Sequence, residues 1–465
     1  MKNRISKKTA DNILNGSILK ALIFLGVPII INSLLQTMYN LTDTYWLGKL
    51  PSEEPMAAIS LISPMQNVII NFGQGFNAAG AILIAQLLGA GDKQRAKKMA
   101  NQVFTVAMVF ALVCASLCFL FTPYIVGWLG AEGNIFSYSR TYLQIVVCDM
   151  PFLYMINIYS AINQARGNTF FPMVLNFCGI AINMILDPIF LMVFKMGIMG
   201  VALATLISKI PCAIAAFILL SKKKEDIHLD RKFMAFDKNM VLKIIKVGLP
   251  TALGSSTMQF GFLLMSKNVF KYGSSAMAAY GIGNKISGII TTPSNAVGSA
   301  VGTIVGQNIG AGRYDRAEKA YKLGRNIAVC FLFCGGMILS RNVFSRAIVS
   351  VFSNDGQNDV INYASEFLSI MLICCWTNGV HNSTTGLFQG SGHTLVTMTI
   401  DATRLWVFRF LTLFVCERVL NMGVRSIWYS VVVSNAISAL ILYILFLTGL
   451  WKKDTIGITR QKKGV

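Results

Sequence analysis

Ala85-Gln86-Leu87-Leu88-Gly89-Ala90-Gly91-Asp92-Lys93-Gln94-Arg95-Ala96 is answered about 220 residues later by Gly306-Gln307-Asn308-Ile309-Gly310-Ala311-Gly312-Arg313-Tyr314-Asp315-Arg316-Ala317. In both copies an apolar run closes on Gly-Ala-Gly and passes at once into a basic segment. A transmembrane helix ends this way: glycine takes the left-handed turn that stops a helix, and the cations that follow stay on the aqueous side. Two more landmarks keep the register. Gly26-Val27-Pro28 returns as Gly248-Leu249-Pro250, and Gln164, Gly167, Thr169 and Met173 return as Gln389, Gly392, Thr394 and Met398. The chain reads as a duplication. A phosphate loop is a poor reading of the Gly-rich element, because the Lys-Ser or Lys-Thr that a P-loop requires after its last glycine is absent.

Composition agrees. Of 465 residues 54% are hydrophobic and only 13% charged, about half the charged share of a soluble domain, which nearly excludes a soluble enzyme. Stretches of about 20 apolar residues, the length that crosses a bilayer, fall near 18–47, 56–88, 99–127, 138–163, 168–193, 197–220, 240–270, 276–308, 317–345, 360–389, 395–419 and 423–450. These predict twelve transmembrane helices: an N-lobe over 18–220, a cytoplasmic linker over 221–239 (SKKKEDIHLDRKFMAFDKN), a C-lobe over 240–450, and cytoplasmic tails over 1–17 and 451–465. Six is even, so both six-helix lobes enter the bilayer the same way and are related by a pseudo-two-fold axis along the membrane normal. Two such bundles are expected to enclose a central cavity and to expose it alternately to each side. The fold class is an all-α integral membrane protein.

Forty-one Lys and Arg against twenty Asp and Glu give a net charge of +21. The cations concentrate in one set of connections: Lys2, Arg4, Lys7 and Lys8; Lys93, Arg95, Lys97 and Lys98; Arg166; the linker; Arg313 through Arg325; and the C-terminal tail. By the positive-inside rule that set, with both termini, is cytoplasmic, and the charge needs no nucleic acid. The other set (Lys49, Arg140, Lys195, Lys267, Lys271, Arg341, Arg346, Arg418, Arg425) is poorer. The first span is too long for a signal-peptide core and has no small-residue cleavage site, so it is expected to stay in place. All ten Cys lie in apolar spans, and neither a disulfide framework nor a metal site is indicated.

Ionisable groups inside the spans are costly and are functional candidates by default. Asp43 lies in the outer half of helix 1, preceded by Tyr39 and Asn40. Helix 5 carries Asn176, Asn183 and Asp187 on one face, and Thr205 in helix 6 reaches the same outer-half depth. A carboxylate pair in a poorly hydrated site does not readily hold two charges, which suits it to bind and release a proton. Asp43, Asn183, Asp187 and Thr205 are therefore the expected ion-coupling site, with a structural polar network as the alternative. Lys209 follows Thr205 by one turn and has three options: pairing with Asp187, pairing with Asp149, or snorkelling to the surface. In the second half Asp401 and Arg404, with Arg409 beyond, are expected to form an internal ion pair, and Lys285 either lines the cavity or reaches an acidic partner in a polar network with them. Glu366, Glu417 and Arg418 are expected to be solvated, and His381 and His393 to be satisfied structural histidines.

On VPIIINSLLQTMYNLTDTYWLGKL at 27–50, AQLLGAGDKQRA at 85–96, GNTFFPM at 167–173, NMILDPIF at 183–190, MGIMGVALATLIS at 196–208 and GQNIGAGRYDRA at 306–317, the chain resembles the multidrug and toxic compound extrusion (MATE) family over essentially its whole length. The resemblance implies a two-lobed secondary antiporter that expels small amphipathic, often cationic, organic compounds in exchange for protons or sodium. It implies no enzyme activity and no cofactor beyond the coupling ion, H+ or Na+, with sodium binding at the Asp43/Asp187 cluster as the one metal option. The partners it implies are organic substrates and membrane lipids, with a monomer in the cell membrane. The DinF-like branch couples its ion through an N-lobe cluster that Asp43, Asn183, Asp187 and Thr205 match. The NorM-like branch uses carboxylates where this sequence has Met258 and Asn378. Lys209 departs from the pattern and bears on proton release from Asp187 and on the preference for cations. A lipid or lipid-linked oligosaccharide flippase is the competing expectation, favoured if Lys209, Lys285, Arg404 and Arg409 are free to meet an anionic headgroup. A non-transporting receptor or scaffold is a second competitor.

Overall fold

The structure is a computed structural model that describes residues 13–47, 54–223, 226–352 and 358–458. The cations Lys2, Arg4, Lys7, Lys8 and Lys49 and the last residues of the C-terminal tail lie outside the described residues. The helices are α1 (Ile18–Leu47), α2 (Glu54–Gly89), α3 (Lys93–Trp128), α4 (Gly133–Val147), α5 (Met150–Ala165), α6 (Phe170–Pro188), α7 (Gly197–Ser221), α8 (Lys238–Phe270), α9 (Ser274–Gly310) and α10 (Tyr314–Leu339). They continue with α11 (Asn342–Phe352), α12 (Asn358–Ile373), α13 (Trp376–Gly390), α14 (Thr394–Thr403), α15 (Phe410–Phe414) and α16 (Arg425–Leu447). Wider π-turns occupy Ile189–Val193, Arg404–Arg409 and Val415–Val419, and no strand occurs among the described residues.

Twelve spans follow in chain order. Among the described residues seven helices are long and apolar enough to cross a membrane, nine when each of two bent pairs counts as one span. The pairs are α4 with α5, bent by 42°, and α12 with α13, bent by 57°. The first bend has a covalent cause: Pro151 lies in the first turn of α5, where its missing N–H restarts the ladder. At the second, Thr377 N and Asn378 N turn back to Cys374 O and Cys375 O in tight three-residue bonds. The remaining three spans are α8, α9 and 394–419; α8 and α9 are rich in Gly, Ser, Thr and Asn, and 394–419 is cut by two π-turns. The ninth span differs from its expected run to residue 345. It stops at Leu339, and the polar Ser340 and Arg341 separate it from the short helix α11.

The duplication is visible in the backbone. Gly91 and Gly312 take φ of 78° and 74°. Each sits in the same double-bonded helix stop: Asp92 N to Leu87 O at 3.0 Å with Gly91 N to Leu88 O at 3.0 Å, and Arg313 N to Asn308 O at 2.8 Å with Gly312 N to Ile309 O at 2.9 Å. Gly167 and Gly392 repeat the device with φ of 82° and 87°.

By packing the described residues divide into two compact units, one within 27–252, the other made of 13–26 and residues within 253–458. The linear division at the 221–239 linker differs from this, since the first turns of α1 group with the second unit and those of α8 with the first. Each cut falls beside a helix-interior proline, Pro28 or Pro250. In the first unit α3 holds the linker through Lys93–Asp226 (2.9 Å), Lys97–Asp230 (2.8 Å) and Lys98–Asp237 (2.5 Å). Buried Gln102 adds bonds to Phe233 O and Ala235 O. In the second unit α9 and α13 cross at backbone contact: a Cβ on Gly386 would stand 2.1 Å from Gly298 O, and one on Gly390 2.4 Å from Gly302 O. Both helices thus carry the small-xxx-small spacing that lets transmembrane helices pack closely.

Candidate functional site

The first unit places the expected cluster on three helices. Asp43 stands on α1, Asn183 and Asp187 one turn apart on α6, and Thr205 on α7. Asn183, Asp187 and Thr205 are buried. With its amide turned to suit its neighbours, Asn183 donates to Asp187 Oδ2 at 3.0 Å and accepts from Thr205 N at 3.3 Å. Thr205 Oγ1 donates to Val201 O at 3.1 Å and stands 3.4 Å from the Tyr39 hydroxyl. Tyr39 lies one turn before Asp43 on α1, so it carries the cluster back to that helix. The two carboxyl groups interact electrostatically, and Asp43 Oδ1 is buried without a hydrogen-bond partner.

The chain explains why these groups meet. Asn32 precedes Asp43 by eleven residues, and Asn176 precedes Asp187 by the same eleven. Eleven residues are about three turns and about 16 Å of rise, so on each helix the pair shares a face. Asn176 Nδ2 donates to Asn32 Oδ1 at 2.7 Å. That bond sets α1 and α6 in register, and equal spacing then brings Asp43 level with Asp187. Pro188 immediately follows, leaving Met184 O without its helical donor, and the π-turn Ile189–Val193 takes up the disruption.

Lys209 pairs with Asp149, which sits at the bend between α4 and α5. Of the three options open from the sequence this one leaves Asp187 unpaired by a cation. Asn40 is exposed. Tyr142, on α4, interacts electrostatically with Asp43 and Asp187 and was not identified from the sequence, where an aromatic in an apolar run carries no distinguishing mark. Asn32 was missed too, although its eleven-residue spacing to Asp43 was available.

In the second unit Asp401 and Arg404 come together as expected, at 3.4 Å. They are joined by His381, whose Nε2 lies 3.1 Å from Asp401 and 3.4 Å from Arg404 NH1. His381 is thus a member of a charged network, while His393 pairs with Ser391 Oγ at 3.0 Å. Lys285 does not join them; it is exposed and makes no hydrogen bond or ion pair among the described residues. Two groups expected in solvent have partners: Glu366 pairs with Arg425 at 2.5 Å, and Glu417 accepts from the Tyr272 hydroxyl at 3.1 Å. Arg418 is exposed. Met258, at one position where the NorM-like branch has an acid, accepts from Arg404 NH2 at 3.3 Å. Among the described residues no group of His, Cys, Asp and Glu has the makings of a metal site, and the ten cysteines are free.

Comparison with known proteins gives a consistent picture. The MatE family profile matches residues 28–189 and 250–415, one match in each half. The chain is 26% identical over 437 residues to "Probable multidrug resistance protein YoeA" of Bacillus subtilis (strain 168), covering 92% of this chain and 93% of that one. It is 28% identical over 377 residues to "Multidrug export protein MepA" of Staphylococcus haemolyticus (strain JCSC1435), covering 81% and 82%. Among solved structures, one of MATE in complex with MaL6 superposes with a TM-score of 0.89 over 97% of this chain and 99% of that one, at 20% identity. The outward-facing conformation of a multidrug resistance MATE family transporter of the MOP superfamily gives 0.86 over 97% and 98%, at 21% identity. The fold is the twelve-helix, two-lobed one.

Proposed function

The chain belongs to the MATE family of multi-pass membrane transporters and is not an enzyme, and from that premise we propose that it is a secondary active multidrug exporter of the DinF-like branch. It sits in the cell membrane with both termini cytoplasmic and works as a monomer. It expels small amphipathic, cationic organic compounds by alternating access, driven by protons or sodium entering through Asp43 and Asp187.

One observation carries the reading: two carboxyl groups from different helices share a buried site with hydroxyl and amide partners, and the nearby cation is already taken by Asp149. Lys209 therefore does not occupy the place a proton or sodium ion would take. Asn183, Thr205 and Tyr39 rotate or exchange hydrogen bonds as the charge at Asp187 changes, which links ion occupancy to the packing of α1, α6 and α7. The names of the two relatives, a multidrug resistance and a multidrug export protein, support the substrate class.

The state of the four cations weighs against the flippase. Lys209 and Arg404 are ion-paired, Arg409 is buried against Ser434 and Asn435, and Lys285 alone is exposed, so of the four only Lys285 is presented to a bulky anionic headgroup. Efflux of a fluorescent organic cation from proteoliposomes under an imposed proton or sodium gradient tests the proposal. Gradient-driven loss of the dye supports it; no loss under either gradient, with transport of an anionic lipid-linked cargo instead, overturns it.

A further inference from the structure

Five residues separate Arg404 from Arg409. On an α-helix that spacing sends two side chains to faces about 140° apart. Arg404–Arg409 is instead a π-turn, whose wider coil returns residue i+5 to within about 50° of residue i. Among the described residues the first half has a π-turn only at Ile189–Val193, which corresponds to Val415–Val419, so the turn carrying the two arginines is an addition of the second half. Both guanidinium groups are drawn inward, Arg404 to 8% and Arg409 to 3% exposure.

Two flanking helices hold them about one turn apart. On α8, Arg404 NH2 reaches Met258 Sδ at 3.3 Å, and Arg409 lies 5.7 Å from the centre of the Phe262 ring, four residues on. On α16, Arg409 bonds Ser434 Oγ and Asn435 Oδ1 at 3.2 Å each. His381, which faces Arg404, meets Ser438 Oγ at 3.3 Å one turn further. Asp401 pairs with Arg404 at 3.4 Å. Arg409 has no carboxylate partner among the described residues. Two guanidinium groups face one carboxylate, and a buried charge without a counter-ion is strongly disfavoured.

The hydrogen-bond ledger leans the same way. Arg404 Nε, Arg409 NH1, Tyr280 OH and Trp428 Nε1 are buried without a partner. Tyr280 stacks on Trp428, centroids 6.2 Å apart and planes at 12°, and interacts electrostatically with Arg409. Asn284 is the polar neighbour of the Tyr280 hydroxyl. Guanidinium and indole N–H groups only donate, so Arg404 Nε, Arg409 NH1 and Trp428 Nε1 are each left without an acceptor. Water would supply an acceptor without supplying the missing charge.

We propose that the second unit holds a small monovalent anion, of halide or formate size, between Arg409 and Arg404. This site is separate from the carboxylate cluster of the first unit and does not depend on what the protein transports. The anion neutralises the excess guanidinium charge and ties the π-turn to α8 and α16.

The test uses the full-length protein purified into sodium gluconate, whose anion is much larger than a halide or formate, and titrated with sodium chloride or bromide at constant ionic strength. The expected result is a saturable rise in the thermal unfolding midpoint with either halide and a saturable component of tryptophan quenching by bromide. Both are lost in Arg409→Gln. Arg409→Lys, which keeps the charge but not the forked donors, shifts the titration about tenfold to higher concentration. Should Arg409→Gln fail to fold, the wild-type and Arg409→Lys titrations decide alone. Equal midpoints in gluconate and chloride for the wild type, or a halide response in Arg409→Gln that matches it, would overturn the proposal and leave water as the partner of these donors.

Discussion

Removing either member of the Lys209–Asp149 pair exposes how the transporter keeps a cation beside its carboxylates without neutralising them. The Asp149 side chain is 4% exposed and that of Lys209 25%. Lys209→Met strands a carboxylate with almost no access to water, and breaking a buried pair from that side costs about 3–5 kcal/mol. Asp149→Asn strands an ammonium that still reaches water along its flexible stem, so the cost falls to about 1–2 kcal/mol. The double variant removes both charges and leaves two neutral side chains of similar size, within about 1 kcal/mol of the wild type. Unfolding of the detergent-solubilised proteins should rank them wild type, double variant, Asp149→Asn, then Lys209→Met, with a coupling energy of about 3 kcal/mol or more between the two sites. Transport adds a second reading. Lys209 lies within electrostatic range of Asp43, so the ammonium released in Asp149→Asn turns toward the carboxylate cluster and slows efflux, whereas the double variant regains it. Equal costs for the two single variants, or strictly additive effects in the double, would refute the assignment of Asp149 as the residue that sequesters Lys209.

Other expectations follow from the packing and from the linker. Gly386→Ala drives a Cβ to 2.1 Å from Gly298 O and should destabilise the second unit by about 1–3 kcal/mol or more. Gly335→Ala on α10, with no neighbour within 4 Å, should be neutral or slightly stabilising; thermal melts compare them. Asn32→Ala or Asn176→Ala removes the 2.7 Å bond between α1 and α6 and should cost about 0.5–1.5 kcal/mol. Efflux should fall in both without being abolished, since the carboxylates remain. The side-chain bonds from Lys97 and Lys98, and the backbone N–H groups after each carboxyl, hold Asp230 and Asp237 below the ordinary carboxylate value. A depressed carboxyl contributes stability that is present above its unfolded value, about 3.9, and is lost as pH falls through the lower folded value. Hydrogen exchange over 226–237 should therefore be unchanged between pH 7 and 5, and protection corrected for intrinsic rate should drop below about pH 4. A loss of protection already at pH 6 would contradict the role of these two aspartates.

Much of the architecture was legible because a bilayer imposes a coarse code. Span lengths and the Gly-Ala-Gly stops located the twelve crossings, and the repeat showed the duplication, while the grouping of the first turns of α1 and α8 with the opposite halves was not legible. The bends at Cys148–Asp149 and Cys374–Cys375 were not legible, because an uninterrupted apolar run reads the same whether its helix is straight or broken; only Pro151 hinted at the first. The grouping of Asp43, Asn183, Asp187 and Thr205 was legible from depth and helical spacing, since ionisable residues in apolar surroundings stand out. Lys209 could not be assigned that way: Asp149 and Asp187 were both in plausible reach, and the bend at Asp149 decided between them. His381 was read as a structural histidine because its partners, Asp401 and Arg404, lie on another span and no local pattern joins them. The π-turn at Arg404–Arg409 was likewise invisible, and with it the shared face of the two arginines.

The most direct test of the central claim is displacement of the coupling ion by a transported organic cation, measured on purified protein as proton release into weakly buffered solution or as release of bound labelled sodium. The account predicts displacement of one of these ions by the wild type and of neither by Asp43→Asn or Asp187→Asn. Release from either folded variant equal to that of the wild type would contradict it.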